Sequence, residues 1–129
     1  MTNDSKLETP PQTVAEFLKA RLDEDEAMLK FTTDRGSWEP HRDYIHHRRG
    51  LVRHRPTGDV LAEFVYPADA EHAAHWQPSR VRAEIEAKRE ILRRSTLYAP
   101  DLIRLLASVY SDHPDYRDEW AVERQGVEW

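Results

Sequence analysis

A chain of 129 residues is long enough to bury one core and is read as a single domain. It has no cysteine, which excludes a disulfide framework, a thiolate nucleophile and thiolate-ligated zinc. The net charge of −5 is laid out unevenly: residues 41–55 hold five arginines against one acid, a local balance of +4 that leaves −9 for the rest. An acidic body with one basic patch argues against a general nucleic-acid coat and permits a local anion or phosphate contact. No apolar run approaches the roughly 20 residues of a membrane span, and the opening MTNDSKLETPPQ has neither the basic nor the apolar region of a secretory signal, so a cytoplasmic protein with no membrane partner is expected.

In chain order, residues 1–12 are polar and contain Pro10-Pro11, which reads as a disordered leader. Thr13 with Glu16 makes a capping box, in which hydroxyl and carboxylate each satisfy the other residue's exposed backbone N–H. The helix it starts runs to about Lys30, with Val14, Phe17, Leu18, Leu22, Met28 and Leu29 in one arc. Arg21 and Asp25 project from that same apolar arc as an i,i+4 pair. The plainer reading packs the arginine stem and lets its head reach water; the sharper one is a buried pair. Residues 32–40 read as a loop with a turn at Asp34-Arg35-Gly36, anchored by Trp38.

Three short strands follow as an antiparallel meander: Tyr44–Arg48, Leu51–Arg55 and Asp59–Tyr66, joined at Arg49-Gly50 and at Arg55-Pro56-Thr57-Gly58. The third alternates Val60, Ala62, Phe64 and Tyr66 with Leu61, Glu63 and Val65, and is expected to be central; the first two read as basic edges. Asp69 is expected to cap a short helix carrying His72 and His75, and Ser79 a long one whose stripe is Val81, Ile85, Ile91 and Leu92. Lys88 points into that stripe, a snorkelling stem or a buried ion pair. Pro100 and Asp101 open a further helix, apolar over half its circumference through Leu102, Ile103, Leu105, Leu106, Val109 and Tyr110, and expected to be the most buried. Ser111–Pro114 breaks it, one more turn spans Asp115–Trp120, and 121–129 is an acidic tail. The architecture is therefore α+β: a small three-stranded antiparallel sheet packed against about three main helices plus short helical segments, over residues 13–120.

The segments AEFLKARLDEDE, DAEHAAHWQPSRV, AEIEAKREIL and YSDHPDYRDEW occur in the order, and over about the three quarters of the chain, in which similar motifs mark a family of small bacterial proteins of unknown function. The chain resembles that family, whose members occur in GC-rich bacteria and their phages. Fifteen arginines against four lysines fit such a genome. The resemblance implies no activity. Its matching positions are Arg21, Asp23, Glu24, Asp25, His72, Pro78, Arg80, Val81, Lys88, Arg89, Asp112, His113, Pro114, Tyr116, Glu119 and Trp120. Trp76 stands where the family places a second histidine, Gln77 where an acid follows, and TTDRGSW retains only Trp38 of a proline-rich segment.

Three chemistries are compatible with the residues. A metal could be held by His72 and His75 with Asp69 or Glu71, but there is no HExxH, helix histidines are commonly solvated, and no metal or cofactor is implied. Acid–base work could use a polar seam of Arg21, Asp25, Lys88, His72, Asp112 and His113, if a pocket gathers them. The bland alternative has Asp112 capping the last turn while Tyr116 and Trp120 pack it down. An anion or nucleic acid could lie on Arg42, Arg48, Arg49, Arg53 and Arg55, interleaved with Tyr44, His46, His47 and His54, although arginines that merely guard a sheet edge explain the same residues. With no phosphate loop and no nucleophile elbow, no catalytic residue is assigned. The expectation is a non-enzymatic accessory or protein-interaction domain, with an apolar helix face or the sheet edge as the surface for self-association. A nucleic-acid or anion-binding module stands second, and a small enzyme around Arg21, Asp25, Lys88 and His113 third.

Overall fold

The computed structural model of the chain describes residues 12–33, 35–43, 49–95 and 97–123. Its elements are α1 (Val14–Met28), β1 (Ser37–Asp43), β2 (Arg49–Arg55), β3 (Val60–Phe64), α2 (Pro67–His75), α3 (Pro78–Ser95) and α4 (Pro100–Ala107), with 3-10 turns at Ser108–Tyr110 and Asp118–Trp120. The fold is α+β, as the patterning predicts. The strand expected at Tyr44–Arg48, the leader up to residue 11 and the tail from residue 124 lie outside the described residues. The chain divides into two compact units: Glu26–Glu86, and the residues up to Asp25 together with those from Ala87 onward. Among the described residues no helix is long and apolar enough to cross a membrane.

The Glu26–Glu86 unit is built on the sheet. Strand order is β1-β2-β3, both pairs antiparallel. This corrects two expectations. Ser37–Asp43 is a strand and not a loop, and β3 is an edge while β2 is central. In a meander the strand between two hairpins has neighbours on both sides, which outranks the apolarity of β3. Gly50 is also no turn residue. It sits in β2 under α2, where a Cβ would lie 2.6 Å from Ala70 Cβ and 2.8 Å from Pro67 Cα, so glycine is what lets helix and sheet approach. Val52, Ala70 and Ala74 form the core there, with Trp38, Leu61, Ala62, Phe64 and Ala73 around them.

Helix starts in this unit are set by proline more than by side-chain caps. α2 begins with Pro67, and Tyr66 at its N-cap makes no side-chain cap bond; Asp69 lies within the first turn rather than at the cap. α3 begins at Pro78, so Ser79 is already helical. Between them the Gln77 amide performs a task no sequence pattern announces. Its Oε1 accepts from the Trp38 backbone N–H at 3.1 Å, and its Nε2 donates to the carbonyls of Ala74 (3.0 Å) and Trp38 (3.4 Å). One side chain thereby closes the end of α2 and pairs with the outer edge of β1.

In the other unit, α1 starts as its capping box requires: the Thr13 hydroxyl accepts from Glu16 N–H at 3.1 Å, and the Glu16 carboxylate from Thr13 N–H at 2.9 Å. Those bonds, the backbone one first, hold the Glu16 carboxyl below the usual glutamate range. Phe17, Ala107 and Trp120 make the core, flanked by Val14, Tyr110 and Tyr116. α4 opens with Pro100 at its first position, as expected. Its expected burial is corrected: only Ile103 and Ala107 are buried, while Leu102, Leu105 and Val109 are exposed.

Candidate functional site

Arg21 is buried, not snorkelling, at 7% exposure. Its Nη2 donates to Glu24 Oε1 at 2.9 Å, while Nη1 contacts both ring nitrogens of His113, at 2.8 Å for Nδ1, and lies 3.9 Å from Asp115 Oδ2. The guanidinium sits 5.1 Å over the Phe17 ring. His113, Tyr116 and Trp120 meet that ring edge-on or tilted, with centroids 5.1 to 5.8 Å away. The Asp115 N–H donates to His113 Nδ1 at 3.0 Å, which fixes the imidazole in its turn. A cation placed on the apolar arc of α1 is thus tolerated because two carboxylates, an imidazole and a π face surround it. Arg21 Nε, also buried, has no acceptor among the described residues.

Asp25 does not pair with Arg21. It accepts the Tyr110 hydroxyl at 2.5 Å. Burial first, then this hydrogen bond to a carboxylate, push the phenol's pKa well above its ordinary value, so Tyr110 remains a donor. The seam therefore joins Arg21 with His113 and Asp25 with Tyr110. Glu24, Asp115 and Tyr110 were missed in the sequence; the available signal was a polar tip on an otherwise apolar arc. Lys88 is half-buried in α3 and makes no ion pair among the described residues, while Asp112 and His72 are exposed. Asp112 caps nothing, since the last turn begins at Asp118 with Arg117 before it.

The cavity beside this arrangement, about 440 Å³, is lined by Gln12, Pro114, Asp115, Tyr116 and Arg117 and includes neither Arg21 nor His113. Among the described residues no three His, Asp or Glu side chains gather as a metal site. His75 instead meets the Trp76 ring edge-on at 5.3 Å, and the Arg80 guanidinium covers that ring at 5.0 Å.

The strand register sorts the arginines. Arg49, Arg53 and Arg55 share one face of β2, Arg42 lies on the opposite face of the sheet, and Arg48 falls outside the described residues with His46 and His47. Each of the three has an acid at hand: Asp43 opposite Arg49, Glu39 opposite Arg53, and Glu39 bonded to Arg55 at 3.0 Å. Arg53 also donates to the Gly58 carbonyl at 3.1 Å. His54 is turned inward, its ring bonded to Thr57 and to the Arg35 carbonyl.

Fold and site together define a small α+β protein that has, among the described residues, a three-stranded antiparallel sheet, four helices and a buried arginine between α1 and the C-terminal segment. The chain belongs to a family of unknown function (DUF6221), matched over residues 11–122. No curated protein and no solved structure matches it.

Proposed function

We propose that this protein is a non-enzymatic interaction domain of the cytoplasm that self-associates through the outer face of α4. One observation carries the reading. The apolar arc of α4 covers half the helix, but its own unit uses only the Ile103 and Ala107 side. Leu102, Leu105 and Val109, which fall within one narrow arc, remain 46%, 40% and 64% exposed. Leu97 and Tyr98, in the turn leading into the helix, are 81% and 86% exposed. At ordinary side-chain areas these residues together expose on the order of 600 Å², at the upper end of the largest apolar patch on a typical monomer and somewhat below the about 800 Å² each partner gives to a standard interface. A second copy suits it, because a two-fold axis lets one face cover itself. The face is bordered by Asp101 and Arg104, 3.5 Å apart, a rim of both signs that repels neither copy.

Sedimentation or light scattering across a concentration series tests this. A concentration-dependent dimer is expected, abolished by Leu102→Glu with Leu105→Glu while the circular dichroism of the monomer is kept; a monomer at every concentration overturns it. The nucleic-acid reading of the 41–55 hairpin finds less support, because two acids of β1, Asp43 and Glu39, lie opposite or bonded to three of its five arginines. The enzyme reading finds less support, because the neighbouring cavity is lined by Pro114, Asp115 and Tyr116 and not by Arg21 or His113.

A further inference from the structure

We infer that two copies of this chain meet with their α4 helices antiparallel, about a two-fold axis that passes beside Leu105; this rests on the self-association proposed above. The surface is a single stretch of backbone. The eight residues of α4 run without a break into the three of the Ser108–Tyr110 turn, because Ala107 (φ −67, ψ −25) and Ser108 (φ −62, ψ −20) keep helical angles. Along it the exposed Leu102, Leu105 and Val109 stand at i, i+3 and i+7, the spacing of a two-stranded coiled-coil seam, while Ile103 and Ala107 are buried in the chain's own core.

That seam is nearly symmetric about its middle, at Leu105 and Leu106. Reversed against itself, it lays Leu102 on the partner's Val109 and Leu105 beside the partner's Leu105. Each end layer then pairs one leucine with one valine, and the contact keeps an even width. Run parallel, the same seam stacks Leu102 on Leu102 and Val109 on Val109, so it narrows toward the C-terminal end.

The charges at the two ends choose the same arrangement. Arg93 and Arg94, in the last turn of α3, share one carboxylate, Glu90. The Ala99 N–H donates to the Ser95 carbonyl at 3.0 Å, which ties that turn to the start of α4. Residues 93–104 hold three arginines against one acid. At the far end, Ser111 N–H donates to Ser108 and His113 N–H to Tyr110, so the chain stays close to the helix. Residues 110–119 hold four acids against one arginine. Asp115 faces Arg21 and Glu119 faces Arg117, which leaves the exposed Asp112 and Asp118 as the surplus. α4 is therefore entered from a basic end and left at an acidic one. Antiparallel copies set each basic end beside the partner's acidic end, twice by symmetry, whereas parallel copies set acid beside acid. The helix dipoles add in the same sense.

The chain has no cysteine, so an introduced thiol reports only on its own neighbour. Leu102→Cys, Leu105→Cys and Val109→Cys, all at exposed positions, are oxidised mildly at a concentration where the dimer sediments. In the antiparallel pair the two copies of position 102 lie about 10 Å apart along the axis, as do those of position 109, beyond the roughly 7 Å that a disulfide spans between Cα atoms. Leu105→Cys is expected to link to itself. Leu102→Cys alone and Val109→Cys alone should link at least about tenfold more slowly, while an equal mixture of the two, one labelled with ¹⁵N, should give the mixed disulfide by mass at the Leu105→Cys rate. Rapid self-linking of either end variant, or a mixture without the mixed disulfide, would overturn the antiparallel arrangement and leave α4 as the interface. A Leu105→Cys protein that dimerises but stays reduced would remove α4 from the interface, and a protein that never dimerises would remove self-association; each overturns this arrangement as well.

Discussion

Tyr110 and Asp25 form the contact whose response to pH is most directly readable. Burial and the Asp25 carboxylate raise the phenol above its ordinary pKa of 10.0, so the folded chain holds that proton more tightly than the unfolded one. The stabilisation is complete below pH 10 and fades as the pH climbs beyond it. Tyr110→Phe is expected to cost about 1 kcal/mol at neutral pH, and the gap between the two proteins' thermal midpoints should close in alkali. A gap that is constant with pH would count against it. That Arg21 and Asp25 occupy an apolar arc was legible in the sequence. Their partners were not, because the i,i+4 rule is local, whereas His113 lies 92 residues from Arg21 and Tyr110 lies 85 from Asp25. Chain separation of that size is bridged only by the tertiary fold.

Helices opened by local chemistry were readable to within a residue: Thr13 with Glu16 for α1, Pro100 for α4. Elements whose position depends on a neighbour were not. β1 contains Pro40 and no clean alternation, so pairing with β2 makes it a strand more than its own composition does. Gly50 is the clearest instance, a residue that resembles a turn in sequence but marks the contact of α2 with β2. Gly50→Ala forces a methyl against Ala70 and the Pro67 backbone and is expected to cost about 2 kcal/mol. A companion Ala70→Gly should restore part of that loss in denaturant unfolding, and additive effects of the two changes would show that the contact is not shared. α4 fails in the opposite direction: periodicity reports how much of a helix is apolar but not how much of that surface its own unit covers.

For the molecule as a whole, net charge opposes the self-association proposed for α4. Two copies each carrying −5 at pH 7 repel, and the repulsion vanishes toward the isoelectric point of about 5.8. The dimer is therefore expected to tighten several-fold between pH 7.5 and pH 6, and also with added salt at pH 7.5, when followed by sedimentation. An affinity indifferent to both would show that net charge does not oppose the association. The Gln77 amide adds a constraint on how this protein can aggregate. Outward-facing backbone groups of β1 recur at every second residue, hence at 38, 40 and 42. Gln77 occupies both groups of Trp38, and Pro40 has no N–H to offer. Two of the three outward positions of β1 are thereby closed or crippled as partners, which disfavours growth of the sheet by strand addition on that edge.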